Sequence, residues 1–288
     1  MKISELLKRD GVTFSLEVFP PKTSDKFETV KQAAEQIAAL KPDFMSVTYG
    51  AGGGTSEYTA DICRDIQNNF GVPALAHLTC VSSDRNKISA VVENLKEKGI
   101  NNILALRGDI PEGFDRTKCE YHYASELIGD IRSHGEFCIG GACYPESHPE
   151  SKNSFYDIKN LKIKVDCGCE FLTTQMFFDN NILYNFLYRI REAGITVPVV
   201  AGIMPVTNAV QIKRIMSISQ SALPQRFVRI VDRYGSKPEA MKQAGVAFAT
   251  EQIIDLYANG INAVHIYTMN KPDIAKAITD NVSYIVQK

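Results

Sequence analysis

Phe14-Ser-Leu-Glu-Val-Phe-Pro-Pro21 is an apolar run of strand length, interrupted by a carboxylate and closed by two prolines. The same grammar recurs along the chain. Thr48 and Tyr49 close Phe44-Met-Ser-Val-Thr-Tyr49, His77 sits in Ala74-Leu-Ala-His-Leu-Thr79, and Arg107 and Asp109 end Ile103-Leu-Ala-Leu-Arg-Gly-Asp109. Tyr144 ends Ile139-Gly-Gly-Ala-Cys-Tyr144, and Gln175 lies in Phe171-Leu-Thr-Thr-Gln-Met-Phe-Phe178. A polar group in a buried strand costs several kcal/mol unless it is partnered. A chain that sets such groups at the same end of successive strands is building one site there, as enzymes do.

Between these runs lie stretches of helical period. After Pro20-Pro21, Ser24 can cap a helix through about Leu40. Further helices are expected over Ser56–Asn69, Asp84–Lys98 (closed by Gly99), Ala124–Ser133, Ser154–Asp166 and Asn181–Ala193. The seventh run, Pro198–Met204, precedes a helix opening near Asn208 and a second over Pro238–Ala258. The eighth, Ala263–Met269, leads to a helix after Pro272. Strands that are apolar on both faces are those of a parallel sheet covered by helices. Eight βα units in 288 residues predict a closed (β/α)₈ TIM barrel, an α/β fold. An open doubly wound sheet would place a Gly-x-Gly-x-x-Gly after the first strand, where this chain has Pro20-Pro21. No Pro/Gly/Ser-rich linker divides the sequence, so residues 1–288 are expected to form a single domain.

Composition narrows the class of function. A net charge of −1 gives no footprint for nucleic acid or an anionic membrane surface. No apolar run approaches the roughly 20 residues of a membrane span, and the first ten residues lack a signal peptide's apolar core. The seven cysteines are odd in number and contain no Cys-x-x-Cys, so neither a disulfide framework nor a metal site is signalled. These features point to the cytoplasm.

At a barrel's C-terminal mouth, Glu17, Thr48, Tyr49, His77, Arg107, Asp109, Tyr144 and Gln175 would face one cavity. Glu17 lies between Leu16 and Val18. Desolvation is therefore expected to raise its pKa and suit it to general acid catalysis. Asp109, differently surrounded, could hold the other protonation state. The alternative is a structural Glu17 that ties down the Pro20-Pro21 loop or pairs with Arg107. Ala51-Gly52-Gly53-Gly54-Thr55 would let the backbone approach a ligand closely, although such runs also occur in ordinary βα loops. His77 could equally be a satisfied core histidine. Tyr144-Pro-Glu-Ser-His148-Pro149 puts an aromatic ring, an acid and an imidazole on a loop stiffened by two prolines.

These segments, with Ser46-Val-Thr-Tyr-Gly-Ala51, His77-Leu-Thr-Cys80, Asn160-Leu-Lys-Ile-Lys-Val-Asp166 and Gly202-Ile-Met-Pro205, occur in an order that resembles methylenetetrahydrofolate reductases of the bacterial, catalytic-domain-only type. The resemblance runs from about Thr13 to about Lys271. It implies a flavin-bearing barrel that reduces 5,10-methylenetetrahydrofolate to 5-methyltetrahydrofolate, with FAD as cofactor. By the same resemblance Glu17 is the general acid that opens the substrate's five-membered ring to an iminium. Asp109 tunes the flavin and stabilises that cation, and Gln175 hydrogen-bonds the substrate or a nicotinamide. Lys271 lies near the substrate's glutamate tail. Flavin contacts fall to Thr48, Tyr49, Ala51, His77, Leu106, Arg107, Gly108, Asp109, Tyr123, Ala124, Tyr144, His148, Ser151, Asp157, Asn160 and Lys164.

The chain departs from the family's pattern twice. Ala209, after Asn208, stands where members carry a larger stacking residue, and Ile163 replaces a basic residue near the flavin's ribityl-phosphate. The electron donor is accordingly NAD(P)H or, as in some acetogenic members, a partner iron–sulfur subunit, in a homo- or hetero-oligomer. Two other functions remain at this level: a flavin-free barrel lyase or synthase, and a barrel subunit that only relays electrons.

Overall fold

A computed structural model of the chain describes residues 1–21, 23–49, 56–110, 113–115, 119–212 and 222–286. Eight parallel strands close into a barrel in sequence order: β1 (Thr13–Val18), β2 (Phe44–Val47), β3 (Ala74–Thr79), β4 (Asn102–Leu106), β5 (Cys138–Cys143), β6 (Phe171–Thr174), β7 (Val199–Ile203) and β8 (Ala263–Tyr267). The expected (β/α)₈ barrel is the fold found. The ladder ends earlier than the apolar runs do. Tyr49, Tyr144, Gln175 and Met269 all lie past the last paired residue, because the strands part at the mouth where loops take over.

The outer ring comprises α2 (Phe27–Ala38), α3 (Ser56–Phe70), α4 (Arg85–Glu97), α5 (Ala124–Ser133), α6 (Ser154–Asp166), α7 (Asn180–Glu192), α8 (Gln225–Tyr234), α9 (Pro238–Ala258) and α10 (Pro272–Val282). Caps fix several starts: Asp84 accepts from the Lys87 N–H, and Asn153 accepts from those of Phe155 and Tyr156. Ser24 begins a 3₁₀ turn, Ser24–Lys26, and α2 proper starts at Phe27. The β7–β8 connection holds more than the sequence announced. Residues 209–212 are helical, and α8 precedes the anticipated long helix.

Side-chain alternation along each strand sorts two cores. Leu16, Met45, Leu78, Ile103, Ile139, Leu172, Ile203 and Ile266 face outward into the helices and are fully buried. At the bottom of the interior, Phe44, Leu75, Leu104, Phe171 and Val200 pack around Ile3 and Leu6 of α1 (Ile3–Leu6), a short helix that plugs the barrel. Asn102 pins the plug by accepting from the Ile3 N–H (2.9 Å) and donating to the Met1 carbonyl. Gly140 leaves room for the Phe171 ring, since a Cβ there would come within 2.4 Å of it. Each fully buried apolar side chain contributes roughly 1.5–3 kcal/mol. The bottom is thus sealed by hydrocarbon, and the chemistry is confined to the upper half.

Candidate active site

Above that plug the barrel interior turns polar. Glu17 is paired in register with Ser46 of β2 and Tyr267 of β8, while Ser15 is paired with Phe44 and His265. Two-residue periodicity therefore places Ser15 and Glu17, His265 and Tyr267, and Ser46 and Thr48 on the inner face. Glu17 Oε2 accepts from the Ser46 hydroxyl at 3.2 Å. It also lies 3.5 Å from His77 Nε2 and 3.6 Å from His265 Nε2. Ser46 Oγ stands 2.9 Å from His265 Nε2, and Ser15 Oγ 2.8 Å from His265 Nδ1. The Thr268 hydroxyl donates to the Glu17 backbone carbonyl at 2.5 Å.

This surrounding corrects one expectation. Burial alone raises the Glu17 pKa, but the His265 and His77 imidazoles and the Ser46 hydroxyl together pull it below the usual carboxylate value. His77 is pushed down to about 4 by desolvation, against the opposing pull of Glu17. Its Nε2 has no hydrogen-bond partner, so His77 is not a satisfied core histidine. Nor does Glu17 pair with Arg107. That guanidinium takes Glu150 in a two-pronged ion pair of 2.6 and 2.9 Å. The loop after β1 is held instead by Asn270, which both accepts from the Phe19 N–H and donates to the Phe19 carbonyl.

Several anticipated groups gather on the β4–β6 side. Asp109 is exposed on the rim beyond Gly108, whose φ of +89° and contact with Val81 and Thr79 favour glycine. The Tyr144 and His148 rings meet edge to face, with centroids 4.7 Å apart. Asp157, Asn160 and Lys164 follow one face of α6 at helical spacing. Burial raises the Asp157 pKa against a backbone hydrogen bond from His148, and lowers that of Lys164, whose ammonium donates to the Ala142 carbonyl at 2.6 Å. Tyr123, which is exposed, and Ala124 form the start of α5, and Ser151 lies in the turn before α6. Thr48 and Tyr49 follow β2, and Leu106 ends β4.

Two further groups belong to the loops after β6 and β8. Gln175, just past β6, turns its amide oxygen onto the Met176 N–H. The Lys271 ammonium donates to Thr207 Oγ1 at 3.3 Å, tying the loops after β7 and β8 together. Ala209 lies against Gly235 at the end of α8, where a Cβ built on that glycine would stand 3.0 Å from the alanine methyl. Ile163 is exposed on α6. Ala51 and the glycines after it lie outside the described residues. Ser15, Ser46, His265 and Tyr267 were missed in the sequence. The signal was the same two-residue alternation, counted from Glu17 and from the apolar β8.

A sequence model described as methylenetetrahydrofolate reductase matches residues 2–283. The chain is 36% identical over 276 residues to the 5,10-methylenetetrahydrofolate reductase of Pectobacterium carotovorum subsp. carotovorum, covering 96% of this chain and 91% of that protein. The chain belongs to the methylenetetrahydrofolate reductase family. Methylenetetrahydrofolate reductase 1 of Schizosaccharomyces pombe is 37% identical over 294 residues, 99% of this chain and 49% of that one. The chain therefore spans about half of this longer relative. A Clostridium thermocellum protein of known structure shares the fold at 15% identity, with a TM-score of 0.65 over 99% of this chain and 100% of that one. Family membership makes the chain an oxidoreductase that converts methylenetetrahydrofolate to methyltetrahydrofolate. Among the described residues no helix is long and apolar enough to cross a membrane.

Proposed function

We propose that residues 1–288 act as one catalytic unit that binds FAD across the barrel mouth, and that Glu17 opens the folate ring there. The observation that carries this reading is Glu17 itself, a carboxylate at the floor of the mouth against two imidazoles and a serine hydroxyl. A reaction that expels a ring nitrogen needs a proton delivered to that nitrogen. Glu17 is the acid placed to deliver it.

The residues of the mouth suit a flavin. His77 Nε2 and Thr173 Oγ1 are buried without a hydrogen-bond partner, as expected of groups kept for a polar ligand. Arg107, Tyr144, His148, Asp157, Asn160 and Lys164 would hold its ring and side chain. Bound and reduced, the flavin supplies the hydride that reaches the methylene carbon. Asp109 holds a negative charge at the rim that favours the substrate's iminium. Gln175 orients the pterin through its amide, and Lys271 offers a cation to the carboxylates of the folate tail. The Clostridium thermocellum structure, described as binding two copies of 5-methyl-5,6,7,8-tetrahydrofolic acid, supports a barrel of this shape as a host for reduced folates.

The electron donor is NAD(P)H or a partner iron–sulfur subunit. Ala209 favours the second, because a methyl packed by Gly235 offers no ring for a nicotinamide to stack on. We place the enzyme in the cytoplasm. The purified protein should be yellow and should lose its visible absorbance when 5-methyltetrahydrofolate is added without oxygen. A colourless protein that binds no flavin would overturn the reading.

A further inference from the structure

The two carboxyl oxygens of Glu17 are not equivalent. Oε2 accepts from the Ser46 hydroxyl at 3.2 Å and has the Nε2 atoms of His77 and His265 at 3.5 and 3.6 Å. Among the described residues no hydrogen bond reaches Oε1. The Glu17 side chain keeps 16% of its surface open, so a ligand in the mouth can reach it. One oxygen is held and the other is left to the cavity.

The direction of the hydrogen bonds behind Oε2 follows from counting donors. An ionised carboxylate only accepts, so the single Ser46 proton goes to Oε2. Ser46 Oγ then accepts from His265 Nε2 at 2.9 Å, and that nitrogen carries a hydrogen. His265 Nδ1 is left as the acceptor for the Ser15 hydroxyl at 2.8 Å. The Val264 carbonyl also lies 2.9 Å from that hydroxyl, but it belongs to the β8 ladder and does not depend on Ser15. One tautomer thus satisfies the whole chain, which runs from Ser15 through His265 and Ser46 to Oε2. Ser15 and Ser46 are fully buried, His265 is 2% exposed, and Phe44 and Tyr267 fix the imidazole by stacking and edge-on contact.

We propose that Ser46, with His265 set behind it by Ser15, holds Glu17 by Oε2 and so makes Oε1 the oxygen that carries the proton to the folate ring. This inference rests on the proposed role of Glu17 and adds which oxygen acts and what fixes it. With the proton on Oε1, Oε2 is a carbonyl oxygen that still accepts from Ser46. Once the proton has left, the same bond meets a charge and strengthens. The donor is in place before the charge develops, and nothing behind Glu17 has to reorient. In the step itself the O–H bond at Oε1 breaks and an N–H bond forms at the leaving ring nitrogen. The C–N bond breaks with its electron pair going to that nitrogen, and Glu17 is left as the carboxylate. The other titratable groups around the carboxyl do not take this proton. His77 on β3 faces Oε2 and is protonated only below about 4, and burial keeps the Tyr267 phenol protonated on β8. Ser46 and His265 touch Glu17 rather than the reacting atoms, so they are positioning residues.

The first test needs neither turnover nor a variant that must fold. Nitrogen-15 NMR of the wild type at pH 8, with His265 assigned by its loss in His265→Gln, should show a hydrogen on Nε2 and none on Nδ1. A hydrogen on Nδ1 would overturn the proposal, because the chain would not run from Ser15 toward Glu17. The second test follows the Glu17 carboxyl by infrared titration, assigned by its loss in Glu17→Gln. In Ser46→Ala it should stay protonated to higher pH, since the lost bond stabilises the ionised form. An unmoved titration would overturn the hold on Oε2. The third reads single-turnover folate reduction against pH. In Ser46→Ala the low-pH plateau should fall about tenfold, the loss of one hydrogen bond to a charged group. The fall in rate with rising pH should move to higher pH as well. A profile lowered everywhere with that limb unmoved would mean a merely structural serine and overturn the proposal. A shifted infrared titration in a protein that fails to reduce folate would instead uphold the grip on Glu17 and remove the proposed reaction.

Discussion

His77 Nε2 stands 3.5 Å from Glu17 Oε2, yet neither atom completes a hydrogen bond with the other. Desolvation keeps His77 neutral down to about pH 4, whereas an unfolded histidine takes a proton near 6.5. Between those values the unfolded chain binds more protons, so stability rises with pH and is lost on acidification. The His77 share of that loss is about 3 kcal/mol across the window. Urea unfolding of the wild type at pH 7 and pH 5 should therefore show a drop that is smaller in His77→Gln. An equal drop in both proteins would contradict the buried, neutral imidazole.

Gly202 and Tyr267 meet across β7 and β8. A Cβ on Gly202 would stand 2.3 Å from the Tyr267 hydroxyl and 2.5 Å from the Thr174 carbonyl, which Tyr267 itself engages at 2.5 Å. Gly202→Ala should displace the ring that packs edge-on against His265 and cost about 1–3 kcal/mol through overpacking. Thermal unfolding measures the cost. A fully stable alanine variant would show that the interior is looser than described.

Asp109 places a negative charge on the rim. Under the proposed flavin site, Asp109→Asn should raise the flavin's midpoint potential, because the reduced anionic form is no longer opposed. It should also slow the folate half-reaction. Potentiometric titration decides, and an unchanged or lower midpoint in the variant would remove Asp109 from the flavin's neighbourhood.

The barrel was legible because parallel strands covered on both faces leave continuous apolar runs, and Pro20-Pro21 ruled against an open dinucleotide-binding sheet. The rim residues were legible for the same reason: Arg107, Asp109, Tyr144 and Gln175 break the runs where the strands part. What stayed hidden had short or ambiguous signals. The plug α1 is four residues long, too brief for a periodic pattern, and its role depends on contacts with Asn102 and Cys138, 99 and 134 residues away. Ser15 and Ser46 read as ordinary small residues within apolar strands, and only register turns them inward beside Glu17. The Glu17 pKa was misjudged because sequence neighbours report burial but not the imidazoles brought by β3 and β8. Arg107 likewise found Glu150, on a loop that local sequence could not place.

Under the proposed function, Glu17 supplies the proton that opens the folate ring. The decisive measurement is stopped-flow reoxidation of the reduced protein by 5,10-methylenetetrahydrofolate without oxygen, comparing wild type with Glu17→Gln. The amide keeps the size and polarity of the side chain but gives up no proton. Flavin binding and flavin reduction should persist in the variant, while the reoxidation rate should fall by roughly 10²–10⁴-fold. Reoxidation of Glu17→Gln at the wild-type rate would contradict the account.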